Sequence, residues 1–432
     1  MAASDAAAAR LPSPPPPPRG LGIVLVIACV VAAVVIVAAA AVYLACRIRR
    51  RRLIASERLQ VDLQTIREAT SNPTNKLGGG AFGSVYKMEL PDGRCMAVKK
   101  VKTRKPRRGG RRRQEEEDAA AAATGGEGGA RLQLENEGNV LVRVQHPNLV
   151  RFVDCRKDGD DCFVITEFVP NRSLDKYFVH DEEHGYGETL PWPARYKIIH
   201  GTCAGLLYLH QQGVLHRDLK MENILLDGDM NPKIADFGIS KLMDMRRTHI
   251  TTNFAIGTKG YMAPEYAVRH YSPTSDVYSF GVLLLEIVTG RTSYHTAGGD
   301  PTALDFLRAV WRDFCDGCSG NSGVAGGVRS VTQQQMLTEP GLDMEQVGRC
   351  VRVGFLCVQD NRRHRPGMKR VSQMLAGDGG GDVELPPPGQ SWMGNTRRDG
   401  SSVFSKTVNV LGHIRHFRQL LSSSAYNVTR RQ

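Results

Sequence analysis

His216-Arg217-Asp218-Leu219-Lys220-Met221-Glu222-Asn223 sets a carboxylate, an ammonium group and an amide at fixed offsets on one short stretch. Three such groups on one loop can receive a hydroxyl proton, offset negative charge and offer an oxygen to a hard cation. On this reading Asp218 accepts or orients the proton, Lys220 neutralises charge on a transferring phosphoryl group, and Asn223 is a metal ligand. Eighteen residues after Asp218 comes Asp236-Phe237-Gly238. Its carboxylate is the candidate for a second metal ligand, and hard oxygen donors beside phosphate oxygens suit Mg2+.

Upstream, Leu77-Gly78-Gly79-Gly80-Ala81-Phe82-Gly83-Ser84-Val85 fits G-x-G-x-x-G-x-V between two strand-like runs, a bare backbone that can close over a triphosphate. A dinucleotide site looks similar, but it needs a helix directly after the glycines. Here Val85 to Leu90 reads as a strand ended by the turn Pro91-Asp92-Gly93. Met96-Ala97-Val98-Lys99 is then an apolar strand that delivers one lysine to the roof of a cleft. Its carboxylate partner is expected to be Glu137, with Glu135 as the rival. Glu137 is preferred because Val140, Leu141 and Val144 continue a helix whose apolar face turns inward.

Downstream, Ala263-Pro264-Glu265 closes the segment that begins at Asp236, and Arg365 is expected to pair with Glu265 as a structural contact. Asp276 opens the apolar run that follows Ser275 and is the candidate anchor of the loop around Asp218. Thr248, Thr251, Thr252 and Thr258 lie between Asp236 and Glu265. A phosphate on this segment could pair with Arg217, so Thr251, Thr252 and Thr258 are the regulatory candidates, with modification expected at Thr251 or Thr252. Strand-like runs from Leu77 to Val101 and helical spacing in Arg195 to Leu209, Ser275 to Thr289 and Met344 to Val358 predict an α+β fold. It has two lobes, one small and β-rich, one large and helical.

Taken in order, these motifs resemble the eukaryotic protein kinase family from about residue 71 to residue 376. Val61 to Thr70 and Ser275 to Leu285 look more narrowly like plant receptor-like kinases, especially the cysteine-rich receptor-like branch, and Lys220 is similar to serine/threonine rather than tyrosine members. The resemblance implies ATP as cofactor with Mg2+, and protein substrates. It implies that Leu77 through Val85, Ala97, Lys99, Thr166, Glu167, Phe168 and Leu225 line the nucleotide site. Thr166 takes the gatekeeper position, where such kinases often carry tyrosine, so the back of the adenine pocket should be open. The cysteine-rich ectodomain of that branch is missing from the sequence. Two other readings remain: a kinase-fold scaffold that transfers nothing, and a receptor whose sensing part is absent from this version.

Leu21 to Cys46 is an unbroken run of 26 apolar or small residues, long enough as a helix for a hydrocarbon core of about 30 Å. Arg47, Arg49, Arg50, Arg51 and Arg52 follow it directly, so everything after it is expected on the cytoplasmic side, most simply of the plasma membrane. The expected order is a short Pro-rich outer segment at 1–20, a transmembrane helix at 21–46, a basic juxtamembrane segment at 47–70, the kinase domain at 71–376 and a flexible tail at 377–432. A low-complexity insert at 102–130 runs basic, acidic, Ala-rich and Gly-rich in turn and reads as solvated and disordered. Gly317 to Gly327 reads as a second flexible insert. The formal charge of +13 is concentrated in the two short basic runs, so no nucleic-acid partner is expected. The partners expected are protein substrates, the membrane, and a co-receptor or a second copy of the chain.

Overall fold

The structure, a computed structural model, describes residues 61–80, 83–102, 137–138, 140–159, 161–178, 190–243, 249–251, 257–293, 303–319 and 323–377. The apolar run at 21–46 and its flanks lie outside these residues, as do Ala81, Phe82, Glu135, Thr248, Thr252, nearly all of the insert at 102–130, and the tail from 378. No helix among the described residues is long and apolar enough to cross a membrane.

Helix α1 (Leu63–Ser71) precedes the sheet. Asp62 caps it by accepting the Gln64 N–H, which satisfies one of the orphan donors of its first turn. The helix buries Ile66, Ala69 and Thr70. Val61, just ahead of it, is buried as well, so the compact unit begins at Val61, ten residues before the boundary expected from the motifs. Arg67 ties the helix to the sheet through a bidentate pair with Asp158, Nε–Oδ2 2.5 Å and Nη2–Oδ1 2.8 Å.

Five antiparallel strands follow: β1 (Lys76–Gly80), β2 (Gly83–Glu89), β3 (Cys95–Lys102), β4 (Phe152–Asp158) and β5 (Asp161–Glu167), in the order β1-β2-β3-β5-β4. The β2–β3 hairpin turns at Asp92-Gly93, where Gly93 takes a positive φ of 81° that a side chain would resist. Register places Lys99 opposite Val85 and Val164, and Ala97 opposite Thr166. Glycine-rich β1, lysine-bearing β3 and the segment that leaves the sheet at Glu167 therefore line one side of the cleft.

The large lobe is built on α2 (Trp192–Gln211), α3 (Pro273–Thr289), α4 (Ala303–Gly317), α5 (Gly323–Val331), α6 (Met344–Cys357) and α7 (Met368–Ala376). Helix α3 is buried from Ser275 to Thr289 on every side. Each of Phe280, Leu283, Leu284, Leu285 and Ile287 removes its side chain from water, roughly 1.5–3 kcal/mol apiece, so α3 is the axis of the lobe. Its start is fixed by a capping box between Ser272 and Ser275 with Pro273 at the first turn.

The stretch read as a flexible Gly-rich insert is helical at both of its described ends. Gly317 ends α4, and Gly323 to Val331 form α5. A Cβ on Gly327 would collide with Cys318 Sγ and meet Phe314 O at 2.7 Å, and one on Gly317 would collide with Ser330 Oγ. These glycines permit close helix packing, which composition alone cannot tell from flexibility.

Candidate active site

The loop between β6 (Val214–Leu215) and β7 (Ile224–Leu226) carries the motif from His216 to Asn223. Asp276, fully buried on α3, holds it from beneath. One oxygen accepts the Arg217 N–H at 2.8 Å; the other accepts the His216 N–H at 2.9 Å and lies 3.0 Å from His210 Nε2. Burial alone would raise this carboxyl, yet His210 and the loop amides hold it below the ordinary carboxylate range. That anchorage holds Arg217 at φ 72°, left-handed backbone a non-glycine residue seldom adopts.

Asp218 is nine-tenths buried and sits among three donors. Thr258 Oγ1 donates to its Oδ1 at 2.6 Å, Asn223 Nδ2 donates to its Oδ2 at 3.2 Å, and Lys220 Nζ lies 3.4 Å away. Lys220 also donates to the Thr258 hydroxyl at 3.0 Å. Thr258, expected among the regulatory threonines, is thus part of the cluster around Asp218. A phosphate on that hydroxyl would set negative charge against the Asp218 carboxylate.

Across the cleft, Lys99 Nζ lies 2.8 Å from Glu137 Oε2 and 2.9 Å from Asp236 Oδ1. The 38-residue separation between Lys99 and Glu137 is bridged without loss of the contact. Burial would lower the lysine, but the charges of Glu137 and Asp236 outweigh it and hold Lys99 above its ordinary value. One lysine cannot offset two carboxylates fully. Burial, with the Asp236 charge adding, lifts Glu137, while at Asp236 the Lys99 charge and the Gly238 N–H outweigh burial and keep the carboxyl low. Gly138 follows Glu137, and a Cβ there would make an ordinary contact with Cys155 Sγ at 3.9 Å.

The donor set fits a hard divalent cation. Asn223 commits Nδ2 to the Asp218 carbonyl at 2.7 Å and to its carboxylate, which leaves the amide oxygen as its ligating end. Asp236 commits Oδ1 to Lys99 and Gly238 and retains Oδ2. Oxygen donors of this kind suit magnesium in the company of phosphate oxygens.

Of the residues expected around a nucleotide, Gly78, Gly79 and Gly80 lie on β1, Gly83, Ser84 and Val85 on β2, Ala97 on β3, and Thr166 and Glu167 at the end of β5. Leu77 is half exposed at the mouth, Phe168 follows β5, and Leu225 lies on β7. The Glu167 carboxylate accepts the Arg151 N–H at 2.9 Å and lies 3.0 Å from Lys233 Nζ, both through Oε1, and the Glu167 N–H donates to the Arg151 carbonyl at 2.9 Å.

Behind Asp218, Arg217 reaches the segment that ends at Glu265. Its guanidinium stacks 4.1 Å over the Tyr271 ring and donates from Nη1 to Ile239 O at 3.1 Å. Its Nε and Nη2 are buried without a hydrogen-bond partner among the described residues. Lys241 is lowered by burial and by the nearby Arg217 charge. Arg217, with donors to spare beside a second cation, makes an anion pocket. Tyr271 pairs with Ile250 in the short ladder of β8 (Ile250–Thr251) and β9 (His270–Tyr271), where Thr251 pairs with His270. Glu265 and Arg365 form the expected pair, Oε1–Nη1 2.7 Å and Oε2–Nη2 2.9 Å. Sequence reasoning missed His210 and the Thr258 hydroxyl bridge, because neither motif names a residue so distant in the chain.

Residues 72–315 match the protein kinase domain, more than half of the chain, and the chain belongs to the protein kinase family. It is 37% identical over 350 residues to cysteine-rich receptor-like protein kinase 10 of Arabidopsis thaliana, covering 78% of this chain and 45% of the relative. It is 39% identical over 330 residues to cysteine-rich receptor-like protein kinase 36 of the same plant, covering 74% and 43%. A relative named G-type lectin S-receptor-like serine/threonine-protein kinase SD1-1, also from that plant, is 38% identical over 335 residues, covering 76% and 36%. The chain spans less than half the length of these curated relatives.

Proposed function

We propose that the chain is an active serine/threonine protein kinase, anchored in the plasma membrane by the run at 21–46 and working in signal transduction with autophosphorylation. The observation that carries the reading is the assembled cluster: Lys99 between Glu137 and Asp236 on one side, Asp218 with Thr258, Lys220 and Asn223 on the other. Such a site works by position and charge, because phosphoryl transfer needs little covalent chemistry from the protein. Asp218 accepts and orients the proton of a substrate hydroxyl, with Thr258 fixing its rotamer. Lys220 offsets charge on the phosphoryl group in flight, and Lys99, held by Glu137, pairs the α- and β-phosphates of ATP. Asn223 and Asp236 would hold Mg2+, which supplies charge neutralisation between the phosphates.

The relatives' names and Lys220 together support serine and threonine as acceptors. The basic run after residue 46 supports a cytoplasmic kinase domain, and a co-receptor or a second copy of the chain would supply sensing. Arg217 with its unpartnered N–H groups supports phosphorylation at Thr251 or Thr252 as the ordering event. Thr166 leaves the back of the adenine pocket open, so purine inhibitors with bulky substituents should compete with ATP; failure to compete refutes that assignment.

The deciding experiment measures phosphate incorporation from ATP and magnesium into the chain itself and into a generic basic protein, with Asp218→Asn as control. Incorporation on serine and threonine that disappears in the control is the expected result. Tight ATP binding without incorporation would make the protein a kinase-fold scaffold.

A further inference from the structure

The surface where α6 leads into α7 carries positive charge that no catalytic step uses. From Asn361 to Arg370 the chain holds Arg362, Arg363, Arg365, Lys369 and Arg370, with His364 among them and no acidic residue. Arg365 is buried and committed to Glu265. The other four cations are held differently: Arg363 and Lys369 are exposed, Arg362 and Arg370 are half-buried, and among the described residues none of the four meets a carboxylate. Asp360, the nearest acid along the chain, is half-buried beside the charges of Arg365 and Arg308. Lys369 and Arg370 also stand in the first turn of α7, where the helix dipole disfavours cations, and that turn has no acidic residue. The fold thus keeps this positive surface at a cost to itself, and local costs of this kind are expected where a function offsets them.

What such a surface fits follows from how its cations are held. Recognition of a single phosphate or carboxylate uses fixed donors in a fork geometry, and the one arginine held that way, Arg365, is spent inside the lobe. The remaining four sit on long side chains over a loop and one helical turn, a diffuse positive field that matches a diffuse negative one. An anionic leaflet is such a surface: it attracts each nearby Lys or Arg by about a fivefold factor in partitioning and reads charge rather than shape. We propose that Arg362, Arg363, Lys369 and Arg370 form a docking surface for anionic lipid headgroups, which lays the α6–α7 face of the large lobe on the membrane. This rests on the membrane anchoring proposed above for its setting alone. An anchored chain stays at a bilayer, so weak contacts suffice, and the patch decides which face of the large lobe meets it.

The test places the full-length chain with vesicles of phosphatidylcholine alone or with about 30% phosphatidylserine. The readout is acylation of Lys369 by an amine-reactive ester, measured by mass spectrometry against Lys76, which is exposed on β1. Lys369 should be labelled about threefold or more slowly on the anionic vesicles while Lys76 is unchanged, and the difference should vanish in about 1 M salt, where screening shortens to about 3 Å. R362Q/R363Q/R370Q keeps the Lys369 reporter and should remove the protection, its three lost charges being worth about a hundredfold in partitioning, with an unchanged melting temperature. Equal labelling of Lys369 on both vesicles overturns the proposal, as does protection that persists in the triple variant or extends equally to Lys76. Protection by polyglutamate on neutral vesicles as strong as that by phosphatidylserine also overturns it, and makes the surface one for an acidic protein. Flotation with neutral vesicles tests the run at 21–46 separately, so failure of the anchor and failure of the patch are told apart.

Discussion

Asp276 and Arg217 touch through the backbone yet end in opposite conditions. The aspartate is buried with both oxygens engaged by His210 and the amides of His216 and Arg217. The arginine side chain is buried with Nε and Nη2 unengaged among the described residues. A satisfied buried group specifies one geometry permanently, whereas an unsatisfied one specifies a geometry that awaits a ligand. The catalytic loop is of the first kind and the activation segment, held by a ladder of two residue pairs, is of the second.

The sharpest way to break this contrast is Asp276→Ala. It strands two buried loop amides and removes the restraint on the Arg217 backbone, and should destabilise the chain by about 3–5 kcal/mol, read by denaturant unfolding. A loss below about 1 kcal/mol would mean that the loop holds itself without α3.

Glu286, on the same helix, separates a group waiting for a ligand from one waiting for a proton. It accepts the Ser293 N–H at 2.6 Å, and burial, outweighing the lowering by Ser293 and Tyr261, pushes its carboxyl up to about 8 from an ordinary 4.5. The folded chain therefore holds a proton that the unfolded chain releases. Stability from this group is complete below about pH 4.5 and is lost as pH rises through 8, at up to about 1.4 kcal/mol per unit. Glu286→Gln keeps the acceptor and should flatten that slope between pH 5 and 8. An unchanged slope would show that Glu286 is charged in the fold.

The smallest effect concerns Arg217 itself. The Thr251→Ala, Thr252→Ala double variant should lower kinase activity by about tenfold, and Arg217→Gln should abolish any activity change on phosphatase treatment. A fully active double variant would leave the anion pocket without a phosphate.

Motif residues within a few positions of one another, such as Asp218 and Asn223, were legible in the sequence because their offsets fix their geometry. The Lys99–Glu137 and Glu265–Arg365 pairs were legible too, through the apolar face beside one and the order of motifs around the other. What escaped was set by tertiary packing. Gly317 and Gly327 look like linker residues until α4 and α5 are seen in contact. Thr258 looks like one more loop threonine until the chain folds back 40 residues to set its hydroxyl on Asp218. Helix α1 was read as juxtamembrane segment because nothing local distinguishes an amphipathic stretch that docks from one that does not.

That docking has a mechanical side. With Ile66 buried and Arg67 clamped to Asp158, a restraint on the chain ahead of residue 61 acts on the small lobe. A pull or twist arriving from the N-terminal side enters through the sheet that carries Lys99, at its edge strand β4.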